Sequence, residues 1–210
     1  VYLSARDGVF LDRSTIFGTV EETGKGNSGI IDIKARSLTM ANGGQILANT
    51  FGQGDAGNVK LEIVDTATFT GLSEPDIRSG IFSNVNSNST GKGGDITLNT
   101  GNLFLGDGAQ INTVSEGRGS AGNITIDVGD RIVIDGARTV QTAQGEQTFA
   151  SGIFSELFST TQELQSDRKA GDINIKARSL SLTQGAEIDS STSGQGNAGN
   201  IFVRADNTIV

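Results

Sequence analysis

The sequence predicts an all-β protein: a parallel β-helix (β-solenoid) of about six to seven coils, in which short and long coils alternate. Three observations predict this fold. A glycine-led phrase recurs six times in the 210 residues, and an apolar–polar–apolar triplet follows each of those glycines. A second glycine lies at a constant distance behind five of them.

The recurring phrases are SGIIDI, AGNVKL, GGDITL, AGNITI, AGDINI and AGNIFV, and their glycines are separated by 28, 37, 28, 49 and 28 residues. A phrase that recurs in this way indicates one structural unit stacked many times. We call these six residues the marker glycines: Gly29, Gly57, Gly94, Gly122, Gly171 and Gly199.

The triplets predict a strand with one buried face. All twelve positions two and four residues after a marker glycine are β-branched or Leu, and five of the six positions between them are polar. Alternation with period two is typical of a half-buried strand, and matched positions stack into columns. The first column is Ile31, Val59, Ile96, Ile124, Ile173 and Ile201; the second is Ile33, Leu61, Leu98, Ile126, Ile175 and Val203.

The residue after the marker glycine is Asn or Asp in five of the six phrases. Gly followed by Asn or Asp favours a bend with positive φ, in which the side chain bonds to nearby backbone. We therefore predict a structural ladder in which Asn and Asp alternate, so that no two aspartates are adjacent. Its members are Asn58, Asp95, Asn123, Asp172 and Asn200.

The second glycines divide the coils into two kinds. They follow the marker glycine by 14 residues, at Gly43, Gly71, Gly108, Gly136 and Gly185. In short coils this glycine lies in GGQI, GAQI or GAEI. In long coils we expect an added third strand, which reads SGIF at residues 79–82 and again at 151–154.

Extra length in the long coils falls into three insertions, at residues 72–79, 137–151 and 155–168. Insertions on one face of a solenoid are where function is usually added. Exposed aromatic side chains there are candidates for ligand contact, with Phe158 the first choice and Phe149 the second. The third insertion also suggests a short helix, with Leu157, Phe158, Thr161 and Leu164 along one side.

Composition excludes several function classes. The chain contains neither Cys nor His, so disulfides, Ser-His-Asp and Cys-His catalysis, and ordinary zinc or copper sites are excluded. A net charge of −8 argues against nucleic acid as a partner. We predict no cofactor, with calcium at Asp95, Asp172 and their neighbours as the one metal to consider, because oxygen ligands are plentiful.

The rival interpretation is a polysaccharide-cleaving enzyme. Hydrolysis needs two carboxyl groups about 5–10 Å apart in a groove. The outward-facing acids are Asp32, Glu62, Asp127, Asp135 and Glu187. Stacking does not pair them, because Lys60 precedes Glu62 and Thr125 precedes Asp127 at the outward positions. We therefore predict that the protein is not an enzyme.

The two-coil pattern resembles the filamentous-haemagglutinin-like repeat exoproteins of Gram-negative bacteria, the two-partner secretion family. The resemblance covers essentially the whole chain. It is carried by GNAGNI at 196–201, SAGNITID at 120–127, and the near copies KARSLTMANGGQILANTFGQG at 34–54 and KARSLSLTQGAEIDSSTSGQG at 176–196. The family implies a right-handed parallel β-helix, in agreement with the handedness of parallel crossovers.

The family also implies export by an outer-membrane secretion partner and an adhesive role at the cell surface. Residues 1–210 are expected to be one β-helix segment of a longer chain, with incomplete coils at both ends. Its expected function is that of a non-catalytic rod, with a host-cell receptor, a surface glycan or protein, or neighbouring rods as partners. The alternative is a glycan- or protein-binding module that uses the long-coil insertions.

Overall fold

The protein is all-β in the computed structural model, which describes residues 1–73, 77–142, 145–158 and 167–210. Within these ranges no helix is long and apolar enough to cross a membrane. The described strands are β1 (Tyr2–Ser4), β2 (Gly8–Asp12), β3 (Thr15–Phe17), β4 (Ile31–Ala41), β5 (Gln45–Leu47), β6 (Val59–Thr70), β7 (Gly80–Phe82), β8 (Ile96–Gly106), β9 (Gln110–Asn112), β10 (Ile124–Val128), β11 (Arg131–Asp135), β12 (Ala137–Thr142), β13 (Gly145–Ala150), β14 (Gly152–Phe154), β15 (Leu157–Phe158), β16 (Ile173–Thr183), β17 (Glu187–Asp189), β18 (Thr192–Ser193) and β19 (Ile201–Ile209).

The larger sheet, sheet 1, takes one rung from each successive repeat, and all its pairings are parallel. Its order is β1–β4–β6–β8–β10–β16, with β2 also on β4, β11 also between β8 and β16, and β19 on the far side of β16. The predicted columns are in register: Ile31 pairs with Val59, Val59 with Ile96, Ile96 with Ile124, and Ile124 with Ile173. The sequence predicts two separate strands in each repeat, one after the marker glycine and one before the second glycine. In β4, β6, β8 and β16 these two strands are continuous.

The smaller sheet, sheet 2, has the order β17–β14–β9–β7–β5–β3 and is also parallel. Sheet 2 corrects the expectation that only long coils have a third strand, because the short repeats also contribute strands to it. In a short repeat the strand follows the second glycine almost at once, as Gln45–Leu47 follows Gly43. In a long repeat an insertion separates the two, so the insertion, rather than a third strand, is what distinguishes the long repeats.

The second glycines and the residues before them form the turns between the two sheets. Gly43, Gly108 and Gly185 each have a φ of 84° and follow a residue that is also in the left-handed region: Asn42, Asp107 and Gln184. Two consecutive residues with positive φ define a tight turn of type I′ character, for which glycine and asparagine are the least strained residues.

The core lies between the two sheets. From Ile31 to Ile173 and from Ile33 to Ile175 the column residues are at most 3% exposed, and the middle residues of β5, β7, β9 and β14 are fully buried isoleucines. Ile201 and Val203 are 43% and 36% exposed, although the pattern predicts them to be inward. The cause is that no sheet-2 strand follows β19 within the 210 residues, so nothing covers this rung.

The physical reason that glycine is required at the marker positions differs from the expected one. No φ in the left-handed region occurs at Gly57, Gly94, Gly122, Gly171 or Gly199. Instead, each packs directly on the marker glycine of the preceding repeat. A Cβ at Gly122 would lie 2.1 Å from the Gly94 carbonyl oxygen, and a Cβ at Gly171 would lie 1.8 Å from that of Gly122. Close approach of backbone to backbone, rather than positive φ, requires glycine here.

Candidate functional site

The insertions 72–79 and 137–151 are closed in the same way, immediately before the sheet-2 strands β7 and β14. Ser79 N–H donates to the Gly71 carbonyl at 2.9 Å, and Ser151 N–H donates to that of Gly136 at 3.0 Å. The two serine hydroxyls accept from Gly43 N–H and Gly108 N–H, each at 2.9 Å. Matched hydrogen bonds therefore fix both insertions at the same position of their repeats.

An outward-facing glutamine from each short repeat reinforces this closure. Gln45 Nε2 donates to the Arg78 carbonyl at 3.0 Å, and Gln110 Nε2 donates to the Ala150 carbonyl at 3.1 Å. Both glutamines begin a sheet-2 strand, and both accepting residues immediately precede the closing serine. The short repeats thus hold the insertions of the long repeats.

Insertion 137–151 forms an antiparallel hairpin of β12 and β13, which pairs Ala137 with Ala150 and Arg138 with Phe149. Its residues 143–144 lie outside the described residues. The Arg78 guanidinium carbon lies 4.9 Å from the centre of the Phe149 ring and 5.9 Å from that of Phe82. This cation–π stack joins insertion 72–79, whose residues 74–76 are not described, to the hairpin.

A cleft of about 480 Å³ opens at the base of the hairpin, and we call it the hairpin cleft. The predicted contact residue Phe149, which is half-buried, lies in its wall together with Phe154. The full lining is Gln110, Ala137, Thr148, Phe149, Ala150, Phe154, Gly185 and Glu187. Its lining combines two aromatic side chains with polar ones.

The other predicted contact residue, Phe158, lies in a second, smaller cleft of about 200 Å³, which we call the polar cleft. Arg78, Asn112, Glu116 and Glu156 are among its lining residues. Leu157 and Phe158 form β15, which pairs with β18, so a helix does not begin at these residues. Thr161 and Leu164, the other members of the proposed helix, lie outside the described residues. Arg78 connects the two clefts, because it lines one and stacks on Phe149 in the other.

Sequence reasoning missed a pair of interacting carboxyl groups, Glu156 in the lining of the polar cleft and Asp189. Burial raises the pKa of Glu156 to about 7, and the charge of Asp189 and a hydrogen bond to it act in the same direction. Glu187 adds to the increase in pKa, and Arg78 opposes it. The pair was missed because Glu156 belongs to an insertion, where no repeat pattern fixes its position, and Asp189 belongs to the next short repeat.

The five residues of the predicted ladder are joined by hydrogen bonds along its whole length. The Oδ1 atom of each accepts the backbone N–H of the next, from Asn58 to Asn200, at 2.8–2.9 Å. The two asparagines that follow an aspartate also donate Nδ2 to it, at 3.1 Å for Asn123 and 3.0 Å for Asn200. The backbone N–H of Asn200 is the main cause of the lowered pKa of Asp172.

A buried column of serine and threonine hydroxyl groups was also not predicted from the sequence. Ser83 Oγ accepts from Gly94 N–H at 3.1 Å and donates to the Gly57 carbonyl at 2.7 Å. Ser155 Oγ makes the equivalent bonds to Gly171 and Gly122. Thr113 and Ser190 occupy the same position in the short repeats. The signal was the Ser or Thr that follows four of the six sheet-2 strands, and its hydroxyl ties sheet 2 to the marker-glycine bend.

Three of the outward acids of sheet 1 have partners in neighbouring rungs or on the same strand. Glu62 bonds to Lys34 at 2.7 Å and to Lys60 at 2.6 Å, and these lysines lower the pKa of Glu62 to about 2. Asp127 pairs with Lys176 at 3.3 Å, and Asp135 accepts from the Thr183 hydroxyl. In the described part of the chain, no group of three or more acidic side chains is arranged to hold a metal ion.

No protein-family model, no curated protein and no solved structure matches this chain.

Proposed function

We propose that the chain is a segment of a right-handed parallel β-helix that acts as a non-catalytic rod and presents its insertions on one side. The observation that carries this proposal is the combination of in-register rungs from every repeat with two insertions, 72–79 and 137–151, that matched hydrogen bonds close at the same position of their repeats. A stack of this kind is stiff, because each rung pairs with both neighbours.

Sheet 1 supports the proposed coil count. Its rungs are β1 with β2, β4, β6, β8, β10 with β11, β16 and β19, and sheet 2 has six strands. Six complete coils and part of a seventh account for these numbers. The right hand is proposed from the general rule for parallel crossovers, which the resemblance to the exoprotein family also implies.

The resemblance extends the proposal beyond the rod. We propose that the segment belongs to a longer exoprotein that is secreted with the help of an outer-membrane partner and adheres at the cell surface. A host receptor, a surface glycan or protein, or neighbouring rods would then contact the presented insertions. The net charge of −8 favours partners other than nucleic acid.

Replacement of residues 138–149 by a two-residue turn tests the role of an insertion as a decoration on the rod. We expect the shortened chain to keep a cooperative thermal transition and a β-sheet circular dichroism spectrum, because none of the removed residues belongs to sheet 1 or sheet 2. Loss of the folded state on this change would contradict the proposal. The non-catalytic part would be overturned if the chain cleaved a polysaccharide and Glu156→Gln abolished the cleavage.

The second candidate function is a binding module, and the convergence of the insertions favours it. Arg78, Phe149 and Glu156 come from three different insertions, yet they surround two connected clefts. Rod and binding module are compatible, because the rod would place the clefts at a distance from the cell.

A further inference from the structure

The two strands of the hairpin pair only with each other. β12 and β13 form a separate two-stranded sheet. Among the described residues outside the hairpin, none forms a backbone hydrogen bond with residues 138–141 or 146–149. An isolated pair of strands is marginal in water, and an unpaired strand edge is a template on which another strand can add. The hairpin therefore carries two open edges.

The hydrogen-bond pattern shows which backbone groups those edges present. Ser151 N–H donates to the Gly136 carbonyl at 3.0 Å, and the six residue pairs of the hairpin continue in register from there. Hydrogen-bonded and non-hydrogen-bonded pairs alternate along an antiparallel ladder. Thr139 and Gln141 therefore direct their N–H and C=O groups away from β13. The 2.9 Å contact between the hydroxyls of Thr139 and Thr148 agrees, because side chains are closest in non-hydrogen-bonded pairs.

The hairpin is fixed at its base and exposed beyond it. Arg138 Nη1 donates to both carboxylate oxygens of Asp107, at 3.0 and 3.1 Å. On the other strand, the ring of Phe149 stacks on Arg78 at 4.9 Å. Further out, residues 139, 141 and 145–148 are exposed. The open edges are thus held in a defined position and are accessible from solvent.

The edge of β12 lacks the features that protect free strand edges in other proteins. Such edges usually carry a charged side chain, a proline or a bulge. Residues 139–142 read TVQT, and the register of the hairpin has no bulge. The outer edge of β13 includes Glu146, which would lie close to its own copy if two β13 strands paired. Of the two edges, β12 is therefore the one suited to pair with itself.

We propose that β12 pairs antiparallel with β12 of a second copy of this chain, about a two-fold axis at Val140. Thr139 of each copy then exchanges backbone hydrogen bonds with Gln141 of the other, and the two Val140 side chains face each other. Val140 lies four residues beyond Gly136, about 13 Å, so the two rods lie side by side about 27 Å apart and do not collide. This inference rests on the proposed rod with presented insertions and deepens it, because it makes a neighbouring rod the partner.

A matched pair of prolines tests the edge. Thr139→Pro and Thr148→Pro lose the same hydroxyl contact, and each removes an N–H that points outward, which an edge strand tolerates. Only the first removes a donor from the β12 edge. A single strand pair buries far less than the roughly 1,200 Å² of a stable interface, so we expect a weak, reversible dimer. Sedimentation velocity from about 10 µM to 1 mM should show association weakened at least about tenfold by Thr139→Pro and changed less than about twofold by Thr148→Pro.

A disulfide test locates the two-fold axis. The chain contains no cysteine, so an introduced thiol can react only with its copy. Cα atoms in a non-hydrogen-bonded pair lie about 4.5 Å apart, which a disulfide can span. Val140→Cys should therefore give a disulfide-linked dimer in a glutathione buffer. Gln147→Cys, opposite Val140 on β13, should give at least about tenfold less.

Three results would overturn the β12 interface: a monomer at 1 mM, equal effects of the two prolines, or cross-linking at residue 147 that equals or exceeds that at residue 140. The rod proposal is tested separately by the replacement of residues 138–149. That variant should be a folded monomer. If it folds while the original chain does not dimerise, only the interface is lost, whereas failure to fold counts against the rod.

Discussion

At the scale of single residues, the ladder at residues 58, 95, 123, 172 and 200 shows how a side chain can take over a backbone role. Each Asn or Asp oxygen accepts the N–H of the residue one repeat further on, at a bend where that N–H points along the stack. Either residue type supplies that acceptor. Only asparagine also supplies a donor, and Asn123 and Asn200 use it toward the aspartate before them.

Asn123→Asp tests why the two residue types alternate. It would place a third carboxylate between Asp95 and Asp172 and remove the Nδ2 donor that bonds to Asp95 at 3.1 Å. We expect a loss of about 1–2 kcal/mol at pH 7. Chemical denaturation at pH 7 and pH 3 is the measurement, and the difference from the unmodified chain should shrink at pH 3, where fewer carboxyl groups are charged. Asp95→Asn is the control, because it keeps the acceptor and should change stability little.

The carboxyl pair at the polar cleft predicts a pH dependence of stability. Glu156 has a folded pKa of about 7 against an ordinary value of 4.5, so between these values the folded state binds more protons than the unfolded state. The contribution of Glu156 to stability therefore falls as pH rises from about 4.5 to 7 and is constant on either side. The facing charged groups are Asp189, Glu187 and Arg78.

Glu156→Gln removes that titration and keeps a donor for Asp189. We expect the variant to be more stable than the original chain by about 1–2 kcal/mol at pH 8, a figure reduced for solvent screening of a half-buried group, and equal to it at pH 4. Melting temperatures over pH 4–8 are the measurement. Glu116→Gln, at an exposed residue of the same cleft, is the control, and an identical pH profile in the original chain and the Glu156 variant would contradict the raised pKa of Glu156.

At the scale of the element, glycine is required at the marker-glycine bend by the backbone that packs against it. Five of the marker glycines rest on the carbonyl of the preceding one, whereas a Cβ at Gly29 would meet no atom within 4 Å. Sequence alone makes these six glycines equivalent. The structure separates them, because Gly29 has no preceding marker glycine in the chain.

Gly122→Ala and Gly29→Ala form a matched pair for this explanation. The first Cβ would lie 2.1 Å from the Gly94 carbonyl oxygen, so the two rungs must separate. We expect a cost of about 2–3 kcal/mol and a melting temperature lower by about 5–10 °C. Gly29→Ala should leave the melting temperature unchanged or slightly raised, since its φ is not in the left-handed region. Equal effects of the two substitutions would refute the close-approach explanation.

Sequence periodicity predicts those elements that repeat and fails at those that do not. The columns through Ile31 and Ile33, and their register, follow from matched spacing alone, since identical side chains stack when identical repeats stack. Sheet-2 strands of three residues are too short to show a period. Those of the long repeats were predicted from the recurrence of SGIF, whereas those of the short repeats, such as Gln45–Leu47, were missed. Glu156 and Asp189 meet through an insertion, whose path no repeat determines.

At the scale of the whole molecule, stability is expected to be a sum of contacts between neighbouring rungs. Ile126 pairs with Leu98 on one side and Ile175 on the other, and all three are at most 3% exposed. Damage to one rung should therefore reach both neighbours, while distant rungs are affected only through the stack. This differs from a globular core, in which one buried position contacts many elements.

Ile126→Asp, with Thr125→Asp as its control, measures that coupling. Ile126 is 1% exposed, so a carboxyl there is buried without a partner, and we expect a loss of at least about 3 kcal/mol. Hydrogen exchange should show the largest loss of protection in β8, β10 and β16, and less in β4. Thr125 is exposed on the opposite face of the same strand, between Thr97 and Asn174, so its aspartate should shift the melting temperature by less than about 2 °C.

An unchanged melting temperature for Ile126→Asp would refute the inward assignment of that column. Uniform loss of protection through every rung would refute nearest-neighbour stacking while leaving the inward assignment intact.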